Sequence, residues 1–97
     1  MNIIEAVFTN DIEQVRACLQ HGADANFTED EMGVTPLHVA TLNDAAEIAG
    51  LLLKWGADPT IEEMDEYMTP IELALHFKRK KIATLMLSFL RESGQLH

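Results

Sequence analysis

The most constraining feature of this 97-residue chain is that it repeats itself. Gly22-Ala23-Asp24 recurs as Gly56-Ala57-Asp58, and Thr35-Pro36-Leu37-His38 recurs as Thr69-Pro70-Ile71-Glu72, each displaced by 34 positions. Two independent motifs sharing one period mark a chain of stacked supersecondary units, none of which can bury its apolar face alone.

Each unit reads as a pair of helices. Thr35 is placed to cap a helix whose first turn holds Pro36, where a missing N–H does no harm. Leu37, Ala40 and Thr41 share one face, and Asn43-Asp44 breaks the segment. Ile48, Leu51, Leu52 and Trp55 follow at i, i+3, i+4, i+7, the spacing of a second amphipathic helix. Gly56 ends it, because glycine takes a left-handed cap without penalty. The same second helix is visible in Ile12, Val15, Cys18 and Leu19 before Gly22, and again in Ile82, Leu85, Met86 and Phe89. Trp55, on an apolar stripe, is expected to pack against the third unit.

The run TPLHVATLNDAAEIAGLLLKWGADPT resembles the ankyrin repeat, T-P-L-H-x-A included. Residues 2–26 resemble an N-terminal repeat and residues 69–90 a C-terminal one. The resemblance implies an all-α solenoid forming one domain over residues 1–97. Its three helix-turn-helix repeats would fall at approximately 1–34, 35–68 and 69–97, joined by β-hairpin-like finger loops. The period exceeds the family's usual length of roughly 33 by one residue, placed between Asn26 and Gly33. Tyr67 stands where Gly33 precedes the earlier TPLH, so the turn there is expected to be remodelled. The first repeat lacks TPLH and the last has Leu90 in place of the helix-ending glycine. Both ends therefore read as capping repeats of a complete stack, whose small size predicts modest stability.

Charge narrows the function. Sixteen Asp and Glu against seven Lys and Arg give a net charge of −9, the wrong sign for nucleic acid or an anionic membrane surface. With 47% hydrophobic residues the chain is not a disordered acidic tail. Residues 1–77 carry 15 acids and 2 bases, net −13, whereas residues 78–97 carry 5 bases and 1 acid, net +4. A lone Cys18 permits no internal disulfide and fits a reducing compartment. Neither a signal peptide nor an apolar run near the roughly 20 residues of a membrane helix is evident, so a cytoplasmic protein is expected.

No phosphate loop, CxxC, HExxH or G-x-S-x-G is present, and His21, His38, His76 and His97 lack metal-ligand spacing. The chain is expected not to be an enzyme and to need no cofactor or metal. Cys18 holds a leucine-like position and reads as a packing thiol. His38 belongs to TPLH, where the resemblance implies hydrogen bonds to neighbouring loops.

Partner binding is the remaining class. Glu29-Asp30-Glu31 and Glu62-Glu63 with Asp65-Glu66 occupy equivalent loops, and in an ankyrin stack these are adjacent fingers. They read either as a solvated rim or as the docking edge for a basic protein; calcium is a weaker option, since EF-hand spacing is absent. The family's binding positions carry over to Glu29, Glu31, Met32 and Val34 on one finger and Glu63, Asp65, Glu66 and Met68 on the next. At the ends of the first helices they fall on Leu42, Asn43, His76 and Phe77. Apolar residues there read either as an interface centre or as minor core. Lys78-Arg79-Lys80-Lys81, at the far end from the fingers, reads as a solubilising cap, although four bases could also bind an acidic surface or lipid headgroup. The expectation is a protein–protein interaction module acting as an adaptor, inhibitor or immunity-type regulator. The alternative is a self-associating scaffold that dimerises through Leu42 and Phe77, with a monomer favoured.

Overall fold

The computed structural model describes residues 2–29, 31–63 and 67–94. Among them are six helices and no strand: α1 (Ile3–Phe8), α2 (Ile12–Gln20), α3 (Pro36–Leu42), α4 (Ala46–Lys54), α5 (Pro70–His76) and α6 (Lys80–Glu92). The helices form three antiparallel pairs. The first helices stack in one row, α1 on α3 on α5, and the second helices stack in another, α2 on α4 on α6. Val7, Leu19, Leu37, Ile48, Leu52, Ile82 and Met86 fill the space between the rows and are essentially fully buried.

The first helices are short because each is bounded at both ends. Asn2 accepts the Glu5 N–H at the start of α1, and Thr35 and Thr69 close capping boxes on α3 and α5. Each ends ahead of a left-handed residue, Asn10, Asp44 or Lys78, with φ of 60°, 55° and 57°. These three lie one period apart, as do Gly22 and Gly56 (95° and 96°) and Gly33 and Tyr67 (76° and 57°). Asn and Asp tolerate the left-handed region, whereas Lys78 and Tyr67 occupy it against their intrinsic preference. Tyr67 thus corrects one expectation: the turn keeps the left-handed conformation of its glycine counterpart and bears the strain.

Trp55 corrects another. It lies beyond α4 as the C-cap and is 45% exposed, while Leu53, at 5%, fills the position facing the third pair. Cys18 is half-buried against the core, less enclosed than its counterparts Leu52 and Met86. With Leu90 replacing the terminating glycine, α6 runs on to Glu92, buries Leu90, and ends ahead of Gly94 at φ 77°. No helix among the described residues is long and apolar enough to cross a membrane.

Polar side chains lock neighbouring pairs together. The Asn26 amide donates to Gly56 O (3.1 Å) and accepts from the Asp58 N–H (2.7 Å). Asn43 Nδ2 donates to Phe8 O at 3.3 Å. One period on, Arg79 donates from Nε to Thr41 O (3.2 Å) and from Nη2 to Leu42 O (2.8 Å). Phe8 and Leu42 are equivalent positions, so the end of each of these first helices is satisfied by the pair that follows it, as orphan helix carbonyls require. Arg79 also lies 4.0 Å from the Asp44 carboxylate, with its guanidinium 6.0 Å from the Phe77 ring centroid. Read from sequence as part of a solubilising cap, Arg79 is instead a clamp.

Two stability measurements follow. Lys78→Gly removes a left-handed side chain and should raise the unfolding free energy by up to about 1 kcal/mol in urea denaturation, the gain being reduced by glycine's larger entropy loss. Arg79→Ala should lower it by about 1–3 kcal/mol, because two helix-end carbonyls lose a charged donor. A loss indistinguishable from zero would show that the clamp carries no weight.

Candidate functional site

The first helices and the loops leading into them form one continuous face of the stack, and the candidate residues divide between its two ends. At 1.5 Å per residue, the seven residues of α3 separate those ends by roughly 10 Å. The acidic fingers lie at one end, and the apolar positions lie at the other beside the basic turn.

At the finger end the acids are not equivalent. Glu31 is exposed, as is Glu29, whose Oε1 accepts the Asn2 Nδ2–H at 2.7 Å. Glu63 is only 8% exposed, and its carboxylate accepts the Met68 N–H at 3.3 Å while the Glu63 N–H donates to Met68 O at 3.0 Å. That local bonding closes the base of the second finger and turns Glu63 away from any partner, which corrects its sequence assignment. Met32 is 40% exposed, whereas Val34 and Met68 are half-buried, Val34 against the core. Asp65 and Glu66 lie outside the described residues. The fingers sit close together: a Cβ on Gly33 would come within 3.2 Å of Glu62 O.

His38 holds these loops in register. Its Nδ1 accepts the Thr35 N–H (3.0 Å) and lies 2.8 Å from Thr35 Oγ1, while Nε2 lies 3.0 Å from Met68 O in the next pair. This pattern requires the neutral ring with its proton on Nε2, donated to Met68. Burial holds the ring's pKa below its ordinary 6.5 and outweighs the Met68 carbonyl and the Glu63 charge, which pull it upward. In the last pair Glu72 takes the histidine's place. It accepts the Thr69 N–H at 3.0 Å, completing the capping box within its own pair.

At the opposite end Leu42 and Phe77 are each 45% exposed. The His76 and Phe77 rings meet edge to face, with centroids 4.8 Å apart and planes at 88°. Asn43 is exposed although its amide is engaged with Phe8 O. The sequence reading missed Phe8, 70% exposed, which the period places with Leu42 and His76; projecting those positions back by 34 finds it. It also missed Tyr67, 66% exposed at the second finger. No group of three or more His, Cys, Asp or Glu among the described residues is arranged to hold a metal ion.

Comparison with known proteins places this geometry. The family model for ankyrin repeats (three copies) matches residues 3–63. The chain is 42% identical over 72 residues to human 2-5A-dependent ribonuclease, a match covering 74% of this chain and 10% of that protein. It is 41% identical over 69 residues to human ARF GTPase-activating protein GIT1, covering 71% and 9%. It is 32% identical over 88 residues to the ankyrin repeat protein FPV024 of fowlpox virus (strain NVSL), covering 90% and 15%. The chain thus spans a small fraction of each relative, and the activities those names describe do not transfer with matches of this extent.

His38 supplies a pH test. With its folded pKa depressed, its stabilising contribution is complete above 6.5, the unfolded value, and is lost as pH falls through 6.5 toward the folded value. Within that window its contribution to stability should fall by about 1.4 kcal/mol per pH unit. Urea denaturation of His38→Gln across the same range should lack this contribution, and an unchanged pH profile would count against it.

Proposed function

This chain belongs to the ankyrin-repeat family, and on that premise we propose that it is a non-enzymatic protein–protein interaction module working through the face formed by its first helices and fingers. The observation that carries the reading is the exposed row Phe8, Leu42 and the His76–Phe77 ring pair, which recurs with the chain's own period on one side of the stack. Aromatic anchors with charged surroundings are the composition of interface centres. The partner is a protein with a basic surface at the finger end, where Glu29, Glu31, Asp65 and Glu66 and the net −13 of residues 1–77 attract it. The role is that of an adaptor, an inhibitor or an immunity-type regulator, acting in the cytoplasm as a single domain with repeats at approximately 1–34, 35–68 and 69–97.

Exposed charges act chiefly on encounter and are screened by salt, while the aromatic row acts on dissociation. A partner captured at low salt should therefore be held more weakly as salt rises. Changing Glu29, Glu31 and Glu66 to Gln and Asp65 to Asn should reduce its association rate and its salt dependence. Leu42→Ser with Phe77→Ser should increase its dissociation rate by about tenfold or more. A partner bound with equal kinetics by all three proteins would remove this face from consideration.

The same apolar row supports self-association through Leu42 and Phe77 as a second reading. Light scattering over a dilution series, repeated on Phe77→Asp, separates the two. A mass independent of concentration removes the dimer, and a dimer lost on substitution replaces the hetero-partner at that end of the face.

A further inference from the structure

The two end faces of the stack differ in a way the period makes readable. Positions 5, 39 and 73 are Glu5, Val39 and Leu73, and positions 14, 48 and 82 are Gln14, Ile48 and Ile82. In the second and third pairs these side chains are buried, none more than 9% exposed, because each faces the preceding pair. The first pair has polar residues at both positions. At the other end nothing comparable has happened. Val7 and Thr41 are fully buried under the pair that follows, and their counterpart Leu75 is 60% exposed. Leu19 and Leu53 are 2% and 5% exposed, and their counterpart Leu87 is 36%. Ile3 and Leu37 are buried, and their counterpart Ile71 is half-buried. The third pair therefore presents the apolar positions that the two internal interfaces use, with no polar replacement at those three.

We propose that this end face, formed by Ile71, Leu75 and Leu87 with Lys80 and Arg91 beside them, docks an acidic, amphipathic helix pair of a partner protein. The docked pair continues the stack. Continuity with the internal interfaces defines the shape, since α3 on α5 and α4 on α6 already solve the same packing problem. Charge defines the partner. Lys80, Thr84, Leu87 and Arg91 follow one another at i, i+4, i+7 and i+11 and are all exposed, so two bases flank the leucine along α6. They belong to the segment of residues 78–97 that carries net +4. A second copy is disfavoured in both orientations. Face to face, Lys80 and Arg91 of the two copies would meet their own kind; head to tail, Glu5 and Gln14 would be buried against leucines. This surface is separate from the face of the first helices and fingers, so either assignment can fail alone.

The chain's own middle pair is the probe. Residues 35–68 carry Val39, Ile48 and Leu52 together with seven acids and one base. Joined after residue 97 through a flexible glycine-serine linker, they should raise the thermal midpoint by about 5 °C or more, as an added stacked unit does. Leu75→Gln with Leu87→Gln should abolish that gain while shifting the unfused chain by no more than about 2 °C, because both leucines are exposed there. Lys80→Glu with Arg91→Glu should reduce the gain. No gain in the fused protein, or a gain that survives the leucine changes, overturns the proposal. A dimer of the unfused chain seen by light scattering and lost in Leu75→Gln with Leu87→Gln makes the occupant a second copy, and overturns it too.

Discussion

No helix pair in this chain can bury its own apolar face, and every other feature of the molecule answers that constraint. Helices of six to thirteen residues are below or near the length at which an isolated helix holds in water. Their stability comes from stacking, with Leu19, Leu37, Ile48, Leu52 and Ile82 shared between neighbouring pairs. Stacking brings backbone groups of adjacent pairs into contact, and those groups must be satisfied across the interface. Asn26, His38, Asn43 and Arg79 do this, each bonding to the backbone of the neighbouring pair. The apolar surfaces hold the pairs together, and the polar bonds fix their mutual register.

Much of the fold was legible because the constraint is periodic. Thr35 with Pro36, Thr69 with Pro70, and Gly22 with Gly56 announce starts and stops by local chemistry that needs no tertiary context. The sequence reading failed where an outcome depended on the neighbouring pair. Trp55 lies on the apolar stripe by spacing, yet Leu53 occupies the inter-pair position and leaves the indole at the surface. Tyr67 reads as a changed turn by propensity, yet the surrounding stack imposes the left-handed conformation. Arg79 reads as one of four solubilising bases; only the proximity of the end of α3 gives it partners.

The candidate face was legible in outline and less so in detail. Leu42 and Phe77 are exposed where the resemblance put them, and Phe8 lay unread at the corresponding position of the first pair. Glu63 shows why a run of carboxylates cannot be read uniformly. In a finger only a few residues long, one acid can serve better as an acceptor for the backbone than as a charge for a partner. The acidic and apolar residues also prove to lie at opposite ends of the short first helices, so a ligand must span about one helix length to use both.

Each interface between pairs is tied at two separated points. Asn26 reaches forward at the loop side of the first interface and Asn43 reaches back at its turn side. His38 and Arg79 do the same at the second. Two ties on opposite edges resist rocking of one pair on the next, as a single tie would not, and so fix the angle between them. The curvature of the whole surface is the sum of two such angles, set by side chains of unequal length. A short amide closes the turn side of one interface and a long guanidinium closes that of the other, so the bend can be altered at either interface alone without exchanging one residue of the apolar core.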